Sequence, residues 1–387
     1  MDMISNNQVY DNRISNPFIV SKSIPKELFC DRQEETEFLI KQIGNGRNVV
    51  LISPRRLGKT GLIHHLFAQE EIANHYHTFF VDIYPASSLQ EMCYIFGKAV
   101  FEQLKSKKER QLEAFFRTIK SLRAAFKIDP ISGEPSIEFG IANIENPSTT
   151  LDEIFSYLEG ADMPCLVAFD EFQQIAEFQE KRVEATLRGL IQHCSNTSFL
   201  FSGSRQHSIE QMFHSKSRPF YQSAQLMSLQ PLKREVYTDF ACRLFAQYGK
   251  AVEPSVVATV YDEYEGTTWY LQMMMNELYA ITAAGETCTP SMLPIARENV
   301  INAQEGVYLL QMNMLSPKQK LVLQSIAHEG TVKSATSGAF IKKHFLDSPR
   351  SVQAALKGLN DKEIISSDAD GIRVYDYFFS WWLRERY

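Results

Sequence analysis

Residues 48–53 read Asn-Val-Val-Leu-Ile-Ser and run directly into Pro54-Arg55-Arg56-Leu57-Gly58-Lys59-Thr60. A short, unbroken apolar run of this kind suits a strand buried on both faces. The polar, glycine-bearing stretch after it reads as a loop, and residues 59–71 read as a helix. A strand with no solvent-facing side needs other elements above and below it. This one segment therefore already points to a layered α/β architecture. The junction also has a chemistry. Backbone N–H groups at a helix N-terminus point outward, and the helix dipole favours negative charge there. Gly58 lets the backbone approach an anion, Lys59 reaches toward the β and γ groups of a nucleotide, and Thr60 places a hydroxyl on Mg²⁺. The G-x-x-x-x-G-K-[ST] pattern is met except at its first glycine, where this chain has Ser53.

Four further apolar runs continue the alternation: residues 78–83, 165–169, 197–202 and 225–229. Helical stretches are expected at 88–126 with one break, at 149–160 and at 179–194. Strand and helix in this order predict a parallel sheet with helices on both faces. Ahead of it, residues 1–28 are rich in Asn, Ser and Pro and read as an extended arm. Asp31 is placed to cap an amphipathic helix carrying Phe38, Leu39 and Ile43, ended by Gly44 and Gly46. Pro and Gly turn signals within 127–148 predict a hairpin insertion.

The run at 165–169 ends in Asp170-Glu171. A carboxylate at that strand end can hold the water shell of a metal ion, and a second can polarise an attacking water. Read alone, the pair would be an acidic helix cap. After a Gly-Lys-Thr loop, in this order and about a domain apart, it points to ATP or ADP with Mg²⁺. The expected metal ligands are Thr60 and Asp170, with Lys59 and Glu171 in catalytic roles. The strand at 197–202 should lie beside the Asp170 strand. Its tip, Ser202-Gly203-Ser204-Arg205, then faces the γ-phosphate, which a hydroxyl or the fork of Arg205 can sense.

After Pro231 strands are no longer expected. Residues 231–315 read as a helical unit of four or more helices. Residues 316–387 read as three helices at 317–328, 337–345 and 349–362, a short hairpin and an aromatic terminal helix. That is the winged-helix pattern. It holds eleven Lys and Arg against eight Asp and Glu, a net of +3 in a chain of net charge −6. Arg350, Gln353, Lys357 and Asn360 on its third helix, with Lys342, Lys343 and His344 before it, are the candidates for meeting DNA. Asp361, Glu363, Asp368 and Asp370 oppose tight binding, and a protein-docking role is the alternative. The aromatics Phe378, Phe379, Trp381 and Trp382 are either a partner surface or that domain's own core. Six widely spaced cysteines, without a CxxC pair or a His-Cys cluster, suit reduced thiols in a cytoplasm. No run approaches the ~20 apolar residues needed to span a bilayer. His64, His65, His75 and His77 read as solvated or core residues.

At these residues the chain resembles the archaeal-type ATPase family, in the STAND group of AAA+-related P-loop ATPases. The matching segments are Asn16-Pro17-Phe18, Phe29-Cys30-Asp31-Arg32, the loop at 54–60, Phe169-Asp170-Glu171-Phe172-Gln173, Ser202-Gly203-Ser204 and Leu229-Gln230-Pro231-Leu232. The resemblance covers roughly residues 16–310. It implies a P-loop NTPase core over 29–230, a helical lid over 231–315 and a winged helix over 316–387. It also implies adenine cradled by Phe29, Asp31, Arg32 and the lid, near Pro231, with phosphates wrapped by Ser53, Pro54, Arg55, Arg56, Leu57, Gly58, Lys59, Thr60 and Gly61. Its departures are Ser53, Thr267-Thr268-Trp269 where relatives often have a proline, and Tyr221-Gln222-Ser223, which lacks an arginine expected near it. The function expected is a nucleotide-switched ATPase acting on a protein or nucleic-acid partner, in a chain able to oligomerise. The alternative is an adaptor that holds ADP or ATP and docks on DNA or protein without turnover.

Overall fold

The computed structural model describes residues 16–20, 24–105, 109–121, 126–128, 135–137, 144–368 and 370–387. They form two compact units, one of residues 23–232 and one of residues 233–387 joined by the first stretch of the chain.

The first unit runs α1 (Gln33–Gly44), β1 (Val49–Ile52), α2 (Lys59–Phe67), α3 (Glu70–Ala73), β2 (His77–Asp82), α4 (Leu89–Lys105), α5 (Glu109–Thr118), β3 (Phe126–Ile128), β4 (Pro135–Ile137), α6 (Pro147–Glu159), β5 (Cys165–Asp170), α7 (Val183–His193), β6 (Thr197–Gly203), α8 (Gln206–His214) and β7 (Gln225–Ser228). Five strands pair in the order β2-β5-β6-β1-β7, all parallel. The period of two along each strand builds two separate cores. Val50, Ile52, Val167, Phe169, Phe199 and Phe201 face one apolar layer, filled by α4 to α8. Val49, Leu51, Leu166, Ala168 and Leu200 face the other, under α1, α2 and α3. The expected helices on both faces are present.

Several expectations are corrected in detail. The helix-former stretch 88–126 divides into α4 and α5 at its expected break, but Phe126 belongs to a strand. β3 and β4 pair antiparallel, as a hairpin insertion requires; residues 129–134 and 138–143 of that insertion lie outside the described residues. α8 was not anticipated, because Ser204-Arg205 reads as a loop and the helix carries few apolar residues. Asp31 does not cap α1 in the usual way. Arg32 occupies the cap at φ 68, and the Asp31 carboxylate accepts only a long bond from Gln33 N, 3.4 Å.

The second unit contains α9 (Arg234–Gln247), β8 (Ala251–Val252), α10 (Pro254–Glu263), α11 (Thr268–Ile281), β9 (Thr287–Cys288), α12 (Leu293–Asn313), α13 (Pro317–Glu329), α14 (Gly338–Lys343), α15 (Pro349–Asp361), β10 (Ile365–Ser367), β11 (Ile372–Val374) and α16 (Tyr377–Arg386). Strands do not vanish entirely after Pro231, since β8 and β9 form a two-residue parallel pair. Ser316 and Gln319 close a reciprocal capping box on α13, and Ser348 caps α15 ahead of Pro349. β10 and β11 are the hairpin of the wing, extended by a bridge between Val332 and Ile372. Phe378, Phe379 and Trp382 are at most 2% exposed and pack on Tyr264, Tyr270 and Tyr308. The terminal aromatics are therefore core. Trp381 is the exception, in contact with the guanidinium groups of Arg297 and Arg384, each 4.3 Å from its ring centroid.

Of the expected arm, residues 1–15 and 21–23 lie outside the described residues. Residues 16–20 are docked rather than free. Asn16 Nδ2 donates to Asn276 O (2.8 Å), Asn276 Nδ2 donates to Phe18 O (2.6 Å), and the Phe18 ring is buried against Phe245 and Tyr279.

One backbone position is set by space alone. A Cβ on Gly203 would stand 2.1 Å from Gln173 Oε1 and 2.7 Å from Ile209 Cδ1. Gly203→Ala should destabilise the first unit by about 1–3 kcal/mol, as overpacking does. A lowered midpoint in urea denaturation is the expected result, and an unchanged midpoint would show that Gln173 swings aside freely.

Candidate active site at the phosphate loop

Because the strands are parallel, β1, β5 and β6 present their C-terminal ends along one edge of the sheet. The register sets Leu51 beside Ser202 and Phe169 beside Phe201. Asp170, Ser202 and the loop after Ile52 therefore emerge together. The loop itself curls through two left-handed residues, Arg56 at φ 71 and Gly58 at φ 87. Leu57 between them is buried in the apolar layer beneath α2, which anchors the turn.

Thr60 Oγ1 donates to Asp170 Oδ2 at 2.7 Å, across 110 residues of sequence. The other oxygen, Oδ1, accepts from Ser202 Oγ and from Glu171 N (3.0 Å). The expected metal ligands thus stand in contact. Ser202 is wholly buried with its hydroxyl spent on Asp170, so it holds that carboxylate rather than projecting to solvent. Glu171 takes φ 54, and its Oε2 accepts from Ser204 Oγ (2.8 Å), Ser204 N (3.3 Å) and Gln173 Nε2. Arg55 Nε donates to the same Ser204 hydroxyl at 3.1 Å. Arg205 lies at the surface, 43% exposed, 3.4 Å from Glu177.

Lys59 is only 6% exposed, and its ammonium turns back onto its own loop. Nζ donates to Ser53 O (2.9 Å), Ser53 Oγ (3.1 Å) and Pro54 O (3.1 Å). Burial lowers its pKa to about 8, against the opposing pull of the Glu171 and Asp170 carboxylates.

The residues of the expected adenine cradle divide. Phe29 stacks on His65 with ring centroids 4.2 Å apart, over Gly61 at the start of α2. Burial lowers the His65 pKa. Pro231 is exposed. Arg32 is 4% exposed and fully engaged elsewhere. Its guanidinium donates to Glu35 Oε1 (2.6 Å), Gln230 O (2.7 Å) and Leu57 O (3.3 Å). It ties the start of α1, the phosphate loop and the chain after β7 into one knot.

Sequence reasoning missed Asp82. It ends β2 directly beside Asp170, and burial, then Asp170 and Glu171, push its pKa up. The signal was available, since 79–82 is an apolar run ending in an acid, as 165–170 is. It also missed Gln173 as a holder of Glu171, which nothing local foretells.

Thr60 and Asp170 fit a hard cation, because both offer oxygen at one point, with Asp82 alongside. Among the described residues no group of three or more His, Cys, Asp or Glu side chains is gathered so that it could hold a metal ion.

A loop of this conformation between β1 and the next helix, with a carboxylate at the end of β5 two strands away, defines a P-loop ATPase fold. Comparison with solved structures agrees. The chain is similar to a Walker-type ATPase of Pyrococcus abyssi (TM-score 0.64, 16% identity, 95% of this chain and 99% of that one). It is also similar to the ORC2 protein of Aeropyrum pernix in its ADPNP-ADP complexes (0.58, 14%, 95% and 95%). A third likeness is the ORC1 protein of the same organism in complex with DNA (0.51, 12%, 97% and 97%). At these identities the likeness shows the fold. The family described as "Probable winged helix domain" matches residues 306–385. No curated protein sequence matches the chain.

Arg32→Met removes three donor bonds, one buried and two part-buried, and leaves two carbonyls without this donor, so it should cost about 2–4 kcal/mol. Urea denaturation measures this. A loss below about 0.5 kcal/mol would show that water or a neighbouring donor replaces the guanidinium.

Proposed function

We propose that this chain binds ATP with Mg²⁺ at the phosphate loop and hydrolyses it, using the nucleotide state to act on a partner. The observation that carries the reading is the 2.7 Å bond from Thr60 to Asp170, beside the buried amine of Lys59. The N-terminus of α2 receives the phosphates, with Gly58 allowing close approach. Lys59 leaves its loop acceptors to neutralise the β and γ oxygens. Thr60 and Asp170 hold Mg²⁺, which when bound offsets phosphate charge. Ser202 keeps the Asp170 carboxylate oriented. Glu171, once released from Ser204, accepts the proton of the attacking water, and Arg55 and Arg56 are positioned in sequence to meet phosphate oxygens. Phe29 and the first turn of α2 supply an apolar surface for the base.

The partner is proposed to be DNA or protein. Arg350, Gln353, Lys357 and Asn360 are all exposed, on the face of α15 opposite buried Val352, Ala355 and Leu359. Among the described residues Arg350 and Lys357 have no ion pair, whereas Lys343 and His344 are tied to Glu329. That leaves the α15 face available for phosphates. The aromatic helix, being core, is not the docking surface. We place the protein in the cytoplasm, where six free cysteines remain reduced; burial pushes the Cys93 thiol up to about 12. No helix among the described residues is long and apolar enough to cross a membrane.

Two substitutions test the site together. Lys59→Ala should abolish ATP binding in calorimetry with the fold retained. Glu171→Gln should keep ATP and lose phosphate release by ~10² or more. A folded Lys59→Ala with unchanged affinity would refute the reading, and equal loss of binding and turnover at Glu171 would make that residue structural.

For the partner, Arg350→Glu with Lys357→Glu in the full chain should remove low-salt DNA binding seen by fluorescence anisotropy and leave ATP affinity unchanged. Wild-type protein showing no salt-sensitive DNA binding would favour a protein partner.

A further inference from the structure

Ser53 stands where the phosphate-loop pattern carries glycine, and the structure gives its side chain a definite contact. The residue is wholly buried. Its hydroxyl donates to Pro54 O at 2.9 Å, which commits the only proton it has. The oxygen's lone pairs are then left for Lys59 Nζ, 3.1 Å away. An ammonium has three N–H donors. Lys59 finds three acceptors in its own loop: Ser53 O, Ser53 Oγ and Pro54 O. One residue supplies two of the three, and a glycine could supply only one.

We propose that Ser53 is a positioning residue that competes with phosphate for Lys59, holding the lysine on the loop and weakening the site's affinity for nucleotide. This rests on the nucleotide-binding reading above. The physical argument is a difference between two states. A buried ammonium lacking one acceptor is costly, so completing its shell stabilises the form without nucleotide. A phosphate that draws Nζ away must first give up the Ser53 bond. The hydroxyl then loses its charged donor and keeps only its bond to Pro54 O. Removing the hydroxyl raises the free energy of the empty loop more than that of the loaded one, and affinity rises.

The test is isothermal titration of wild type, Ser53→Ala, Ser53→Cys and Ser53→Gly with Mg-ATP, with inorganic pyrophosphate and with adenosine. Cysteine keeps the volume and replaces the acceptor by a poor one; alanine removes the acceptor without adding backbone freedom. ATP and pyrophosphate should bind about three- to tenfold tighter in the variants, as expected for one charge-assisted hydrogen bond partly offset by water. Adenosine affinity should not change. A merely damaged loop binds more weakly, so the direction of the change separates the two. Unchanged affinity in the folded variants overturns the proposal. Weaker binding overturns it too, by making Ser53 a phosphate ligand. If the Ala and Cys variants both fail to fold, the hydroxyl is a structural requirement and the proposal falls. Wild type that binds neither ATP nor pyrophosphate refutes the nucleotide reading itself.

Discussion

Parallel pairing of β6 between β1 and β5 decides where every polar group of the site emerges. With Leu51 opposite Ser202 and Phe169 opposite Phe201, the last residues of three strands fall on one line. A slip of one residue would turn Val50, Val167 and Phe199 into the layer now filled by Leu51, Ala168 and Leu200, and would bury Asp170 among apolar groups. The two cores thus enforce the register, and the register places Asp170 against Thr60. The chemistry is a by-product of how the apolar residues alternate.

Around that line the site is closed on itself. Lys59 is bound to its own loop, Asp170 is shared by Thr60 and Ser202, and Glu171 is held by Ser204 and Gln173. Each contact satisfies a group that burial would otherwise penalise. Each is also a contact a phosphate or a water would have to replace. Arg32 shows the complementary design. Its guanidinium is spent on the Glu35 carboxylate and on carbonyls from Leu57 and Gln230, so it stabilises the loop's shape.

The second unit is organised by aromatic packing. Tyr264, Tyr270 and Phe378 form one set of ring contacts and Tyr308, Phe379 and Trp382 a second, and each links α16 to the chain before it. The family match beginning at residue 306, inside α12, has a physical counterpart here, because Tyr308 stacks on Phe379. A chain boundary at residue 316, as the sequence pattern suggests, separates residues that share a core. Phe18 makes the same point at the other end, packing on Phe245 and Tyr279 more than two hundred residues away.

All five strands of the sheet, the phosphate loop, the acidic strand end and the three-helix-plus-hairpin pattern were legible in the sequence. They depend on local period, on caps such as Ser316 and Ser348, and on Gly58 at a turn, all of which act within a few residues. Strand order, the burial of Ser202, the knot at Arg32, the docking of Asn16 through Asn276 and the core role of the terminal aromatics were not. Those depend on which surfaces meet across long stretches of chain: 110 residues for Thr60 and Asp170, 198 for Arg32 and Gln230, 260 for Asn16 and Asn276. A serine's hydroxyl is a ligand, a brace or a competitor according to the neighbour that the tertiary fold brings to it. For Ser53 and Ser202 the sequence by itself carried the hydroxyl; the curl of the phosphate loop gave one to Lys59, and the packing of the sheet gave the other to Asp170.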